Sequence, residues 1–304
     1  MEPDAPAAAN PDYWVVYDGL SSPEETRVTS GRVIVVTAEP EAIRTYAPAF
    51  LAQFDLVLTT QPRLDGPKVI HTQTALPWHV GVRRSRFEGG SELSHDTAAF
   101  GYDELQDARP SKARDLSVVC SAKSNAPGQR RRLRFVEQLK DHFGDRLDWF
   151  GRGVAPIEDK WDAVAPYRFH ISLENSAEPD YWTEKLTDAF LGGAFPLYWG
   201  CPNLEDYFDR RAFERLDLDD VGASIDVIER ALADGITPER EQALTRAKHL
   251  VLDEYNLFPM LVSLVQKCGG TGPRSARLLP EAALSTGGVR NLREAAVRTL
   301  RRFH

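Results

Sequence analysis

The stretch from Tyr167 to Gly200, YRFHISLENSAEPDYWTEKLTDAFLGGAFPLYWG, reads as strand, polar loop, helix and second strand in one continuous unit. That order points to an α/β chain. Arg168 to Leu173 is a short apolar, β-prone run suited to a buried strand, and it ends at the adjacent polar residues Glu174 and Asn175. Pro179, Asp180 and Thr183 open a helix whose apolar positions Leu186, Ala189 and Phe190 follow helical spacing, and Gly192 and Gly193 close it. The exposed N–H groups of that first turn favour an anion. On residue types alone, the polar loop is either an anion site or a merely solvated connection.

Similar alternations flank this unit. Arg32 to Thr37, Asp55 to Thr59 and Lys68 to His71 are strand-like, as are Leu116 to Cys120, Leu147 to Phe150 and Phe195 to Trp199. Helices are expected at about 130 to 143, 182 to 191, 223 to 233, 238 to 253 and 257 to 267. Between the two groups of strands, QDARPSKARD (106 to 115) is charged, contains proline and lacks an apolar period, so it reads as an interdomain linker. The expected division is 1–110, 111–268 and a tail of 269–304. In the tail, GGTGPRSARLLPEAALSTGG reads as a linker, and VRNLREAAVRTLRRFH as a basic amphipathic helix with Val289, Leu292, Ala296, Val297 and Leu300 on one side.

Charge and motif content remove several function classes. A net charge of −8 argues against a general nucleic-acid binder. No run of about eighteen apolar residues appears, and the start MEPDAPAAANPDYW lacks the basic and apolar regions of a secretory signal, so a cytoplasmic protein is expected. Cys120, Cys201 and Cys268 are scattered, which suits free thiols and gives no metal-ligand spacing. Asp217, Asp219 and Asp220 read as caps of the next helix, not as a metal site. A phosphate-binding Gly-x4-Gly-Lys-Ser/Thr loop, a Gly-x-Gly-x-x-Gly fingerprint and a Gly-x-Ser-x-Gly elbow are all missing from the sequence.

The pattern ENS-x4-YWTEKL followed by GAFP resembles the donor-binding signature of the α-1,3/4-fucosyltransferases, glycosyltransferase family 10, with Trp182 in place of the usual aliphatic residue. Upstream, VVCSAKSNAPGQRRRLRFVEQLKDHFGDRLDWFGRG is similar to the family's strand, serine-containing loop, arginine-bearing helix and glycine turn. Near the N-terminus, GRVIVVTAEPEAIRTYAPAFLAQFDLVLT resembles the first-domain strand and its Thr-x-Glu turn, although the usual Glu-Ser-Pro element is reduced to Glu39-Pro40. The likeness spans about residues 30 to 265 and is strong from about 116 to 208.

The resemblance implies a bacterial-type enzyme of the GT-B arrangement, two Rossmann-like domains facing across a cleft, with an acceptor-side N-terminal domain. The implied reaction is inverting, metal-independent transfer of L-fucose from GDP-fucose to a hydroxyl of a glycan acceptor, with no cofactor. Such a transfer needs a base, stabilisation of an oxocarbenium-like sugar and neutralisation of a diphosphate. Carried over by motif, Glu39 is the base and Glu184 faces the sugar ring. Arg132, beside Arg130, Arg131 and Arg134, joins Lys185 in clamping the diphosphate. Asn175, Tyr181 and Thr183 belong to the donor loop, and Glu174 would hold either the ribose hydroxyls or the loop itself. Ser121 and Lys123 reach the phosphates, Gly151 and Gly153 allow a close backbone approach to the nucleotide, and His71 and His79 are acceptor-side candidates. Residue spacing leaves open another nucleotide-sugar, or a non-catalytic glycan- or nucleotide-binding protein. The basic tail helix offers a peripheral membrane contact.

Overall fold

In the computed structural model, residues 10–82, 84–87, 90–93, 100–122 and 127–284 are described. Chain contacts divide the protein into two compact units, Met1–Thr74 with Leu261–His304, and Ala75–Met260. The boundary therefore lies well before the expected linker at 106–115. Leu105, completely buried, and Lys248, which donates to the Ala108 carbonyl, tie that stretch into the second unit.

The first unit contains β1 (Tyr13–Tyr17), β2 (Glu24–Val28), β3 (Arg32–Val36), a short α1 (Pro48–Leu51), β4 (Leu56–Thr59) and β5 (Val69–His71). Four of these strands form a parallel sheet in the order β1-β3-β4-β5. Val33, Ile34, Val35 and Val36 are all fully buried, the expected pattern for a central parallel strand covered on both faces. β2 lies outside this sheet and pairs antiparallel with a strand from the far end of the chain, Arg274–Leu278. The expected linker at 269–288 thus contains a strand. Its glycines and prolines mask an RSARL alternation in which Ala276 and Leu278 are buried beside Val28, while Arg277 stands opposite Glu25. The tail helix expected at 289–304 lies outside the described residues.

The second unit opens with a hairpin, β6 (Arg84–Phe87) and β7 (Gly90–Leu93), then α2 (Tyr102–Asp107). Its sheet contains β8 (Arg114–Val119), β9 (Leu147–Phe150), β10 (Tyr167–Leu173), β11 (Phe195–Trp199) and β12 (Glu214–Arg215). Between them run α3 (Pro127–Phe143), α4 (Trp161–Val164) and α5 (Glu184–Leu191). After the last strand come α6 (Val221–Asp234), α7 (Pro238–Asp253) and α8 (Leu257–Cys268). All five strands are parallel, in the order β12-β11-β10-β8-β9, around a core that includes Phe135, Phe169, Phe190, Phe195 and Phe213. After β8 the chain moves outward to β9 and then returns to β10 on the other side of β8. The order therefore reverses between β8 and β10, and the crevice beyond their C-terminal ends is where open α/β sheets bind ligands. Among the described residues no helix is long and apolar enough to cross a membrane.

Candidate functional site

At that crevice β10 delivers Glu174 and Asn175, β8 delivers Cys120 and Ser121, and the N-terminus of α3 closes from the side. Gly128, in the first turn of α3, is so close to the loop after β10 that a Cβ there would lie 2.6 Å from the Asn175 carbonyl oxygen. Of the four clustered arginines, Arg132 is the one whose guanidinium reaches the end of β10, donating to the Leu173 carbonyl at 3.0 Å. Its Nε is buried and has no hydrogen-bond partner among the described residues. Arg131 instead lies over the Trp199 ring and pairs with Asp219.

Glu174 is fully buried. Its carboxylate accepts the Thr183 backbone N–H at 2.8 Å and the Thr183 hydroxyl at 2.7 Å. Of the two roles left open by the sequence, holding the loop is the one these contacts supply. Thr183 in turn caps α5 by accepting from the Lys185 N–H, so strand end, loop and helix start are locked together. Lys185 Nζ contacts Glu184 Oε1 at 2.9 Å, Thr183 Oγ1 at 3.2 Å and Glu174 Oε2 at 3.8 Å. Burial opposes protonation of Lys185, and so does Arg132, but the two carboxylates outweigh them and raise its pKa. Burial likewise disfavours the charged form of Glu184. Lys185, Lys160 and His79 overcome it and hold the Glu184 carboxyl well below the usual carboxylate range, so it stays ionised. For Glu174 desolvation dominates over Lys185, and its pKa is raised.

Several expectations need correction. Tyr181 is only 2% exposed, in the interior and not lining an open site. The chain enters it through Asp180, which holds a positive φ of 62° and is pinned by Asn203 and the Tyr207 hydroxyl. Gly151 serves strand packing: at φ 139° its missing Cβ leaves room for the Cys120 carbonyl oxygen, 2.5 Å from where that atom would sit. Gly153 similarly abuts Ala122. His79, expected with His71 on the acceptor side, belongs to the second unit, its Nδ1 4.0 Å from Glu184 Oε1. Lys123 lies outside the described residues, and Ser121 is partly exposed at the end of β8.

Asp188 and Lys160 were not anticipated. Asp188, completely buried, accepts the His79 N–H at 2.8 Å and lies 2.8 Å from Lys160 Nζ, and Lys160 also donates to the Glu184 carbonyl at 3.2 Å. Through the His79 and Val80 N–H groups, Asp188 holds this segment against α5. An acid flanked by Leu186, Ala189 and Phe190 on the apolar side of the helix was the available signal.

Glu39 and His71 belong to the first unit. Glu39 follows β3 in a turn whose carbonyl accepts from Gln61 Nε2 at 2.8 Å and whose N–H faces the Tyr46 hydroxyl at 3.4 Å. His71 is exposed at the end of β5. The acidic run at 217–220 caps helix and turn: Asp220 accepts from the Ala223 N–H and Asp217 from the Asp219 N–H. Among the described residues no group of three His, Cys, Asp or Glu side chains is placed to hold a metal ion.

Residues 111–222, which contain this crevice, match the family described as Glycosyltransferase family 10 (fucosyltransferase) C-term. The chain is 36% identical to mouse (Mus musculus) Alpha-(1,3)-fucosyltransferase 4 over 115 residues, 36% of this chain and 26% of the relative. It is 42% identical to Alpha-(1,3)-fucosyltransferase 7 of Bos taurus over 83 residues, 26% of this chain and 24% of the relative. The matches thus span about a quarter of these relatives' length. Among solved structures, an alpha1,3-fucosyltransferase with GDP-fucose aligns over 80% of this chain and 70% of its own, at 17% identity and a TM-score of 0.45.

Proposed function

We propose that this chain is a glycosyltransferase that moves L-fucose from GDP-fucose to a hydroxyl of a glycan acceptor, with inversion and without a metal. The observation that carries this reading is the coincidence of the matched segment, residues 111–222, with the sheet reversal at which Arg132 and Lys185 converge. In this reading the diphosphate lies across the crevice. Arg132, whose buried Nε has a hydrogen bond still to give, and Lys185 neutralise the charge that develops as the bond from the sugar anomeric carbon to phosphate breaks. Lys185 is held in place by Glu184 and Glu174 and exchanges part of that contact for phosphate oxygens. Glu184, kept ionised, stabilises the positive charge on the sugar ring.

The acceptor oxygen attacks from the face away from the leaving group and yields its proton to Glu39. A peripheral contact of residues 289–304 with an anionic membrane surface, at the cytoplasmic face, belongs to the same reading.

A thermal-shift and calorimetric titration against GDP, GDP-fucose, GDP-mannose, UDP-sugars and CMP-sialic acid tests the donor, because a ligand that binds only the folded state stabilises it. Selective stabilisation by GDP and GDP-fucose is expected. A response to a different nucleotide-sugar alone discards fucose, and no response to any of them discards the transferase reading. Transfer that stops with chelator and returns with divalent cation discards the metal-free step.

A further inference from the structure

At the opposite edge of the second unit's sheet, beside the starts of β10 and β11, lies a cavity of about 390 Å³. Parallel strands put it a full strand length, roughly 20 Å, from the crevice described above. Its walls include the apolar Phe190, Ile236 and Leu244, together with Arg109, Lys112 and Lys248. Among the described residues none of these three cations has a carboxylate within ion-pair distance. Lys112 Nζ donates to the Ala165 and Gly192 carbonyls at 2.7 and 2.6 Å, the C-terminal ends of α4 and α5. Lys248 Nζ and Arg109 Nη1 both donate to the Ala108 carbonyl, at 3.0 and 2.9 Å. The other titratable groups facing the cavity are Arg168, paired with Asp115, His249, beside Asp253, and Glu241, the lone acid of the lining.

We propose that this cavity is a second anion site, built for a compact phosphate-type oxyanion and separate from the candidate donor crevice. Three like charges gathered against apolar walls repel one another, and the low local dielectric magnifies that cost. The net charge of −8 means that the chain as a whole has no shortage of acid to place there, yet none pairs with the two lysines or the arginine, Asp107 acting on Lys248 only from beyond ion-pair distance. An oxyanion relieves the repulsion and uses the donor capacity left on each ammonium, which has three N–H groups. The titration behaviour agrees. Burial, then Lys248, brings the Lys112 amine down to about 7, and burial, then Arg109, brings Lys248 down to about 8 against the opposing pull of Asp107. A bound anion favours both protonated forms, so affinity rises as the pH falls through this range. The buried His170, which also feels Lys112, stays neutral there.

The experiment is calorimetric titration of inorganic phosphate at constant ionic strength into the wild-type protein and into Lys248→Met, Arg109→Met and Arg132→Ala variants, at pH 6.5 and 8.5. The expected result is saturable binding that is tighter at pH 6.5. It should weaken by at least roughly tenfold in Lys248→Met and Arg109→Met, the loss of one charge-assisted hydrogen bond, and remain unchanged in Arg132→Ala. Arg109 is exposed, so its replacement leaves the fold intact even if that of Lys248 does not. Absence of phosphate binding overturns the proposal, as does binding lost only with Arg132, which would assign the anion to the donor crevice. The comparison does not require GDP to bind.

Discussion

Replacing Lys185 by Met keeps the aliphatic stem and removes the cation that two carboxylates share. In the wild-type protein Lys185 Nζ stands 2.9 Å from Glu184 and 3.8 Å from Glu174, with side-chain exposures of 21% for the lysine and 14% and 0% for the acids. Removing one partner of a buried pair costs about 3–5 kcal/mol. The low end applies here, since Lys160 and His79 still face Glu184 and Thr183 still donates twice to Glu174. A loss of about 3 kcal/mol at pH 7 is therefore expected. The lysine's folded pKa is raised, so its contribution is present below the unfolded value of 10.5 and is lost as the pH rises through the folded value.

The Glu184 pKa is depressed, so its contribution is present above its unfolded value of 4.5 and is lost as the pH falls through the folded value. In the variant that depression shrinks, both acids take up protons more readily, and the deficit narrows as the pH falls below about 4.5. Urea denaturation of wild type and variant at pH 7 and pH 4 measures this directly. Adding Glu184→Gln should recover part of the loss. A Lys185→Met protein within about 0.5 kcal/mol of wild type at pH 7, the range of an ordinary surface substitution, would refute the idea of a shared buried charge.

Three further outcomes are expected. Glu39→Ala should cut transfer by roughly 10²–10⁴-fold while leaving GDP-fucose affinity nearly unchanged, and calorimetry combined with a product assay decides it, since unaltered turnover removes Glu39 as the base. Gly151→Ala forces a side chain into φ 139° and to within 2.5 Å of the Cys120 carbonyl oxygen. It should lower stability by about 1–3 kcal/mol, read as a shift in the unfolding midpoint that Gly66→Ala, facing open space at φ 131°, should not match.

His170 is buried against Ser117 and its pKa is lowered to about 3 by burial first, then by Lys160 and Lys112. A histidine held neutral contributes stability above its unfolded value of 6.5 and loses it as the pH falls from 6.5 towards 3. Stability should therefore decline across that window, and His170→Gln should flatten the decline. A slope identical to wild type would show that other groups govern it.

The sequence by itself determined most of the strands and helices, because apolar period and glycine closure are local signals. Phe169, Ile171 and Leu173 alternate through one strand, and Leu186, Ala189 and Phe190 line one side of a helix whatever lies beyond. Resemblance to the family-10 signature also picked out Arg132, Glu174, Thr183, Glu184 and Lys185, four of them between the end of β10 and the first turn of α5. Pairing at long range was not legible. The RSARL strand joins β2 across nearly the whole chain length, and nothing local distinguishes it from a linker.

Only the tertiary structure separated Arg131 from Arg132 by direction and showed that Gly151 is required for packing against the Cys120 carbonyl. It also moved His79 beside Glu184 through Asp188. These outcomes depend on which backbone atoms lie within hydrogen-bond reach once the sheet has formed. That distance is set by the order of the strands, β10 and β8 side by side with β9 beyond, and no single segment of sequence encodes it.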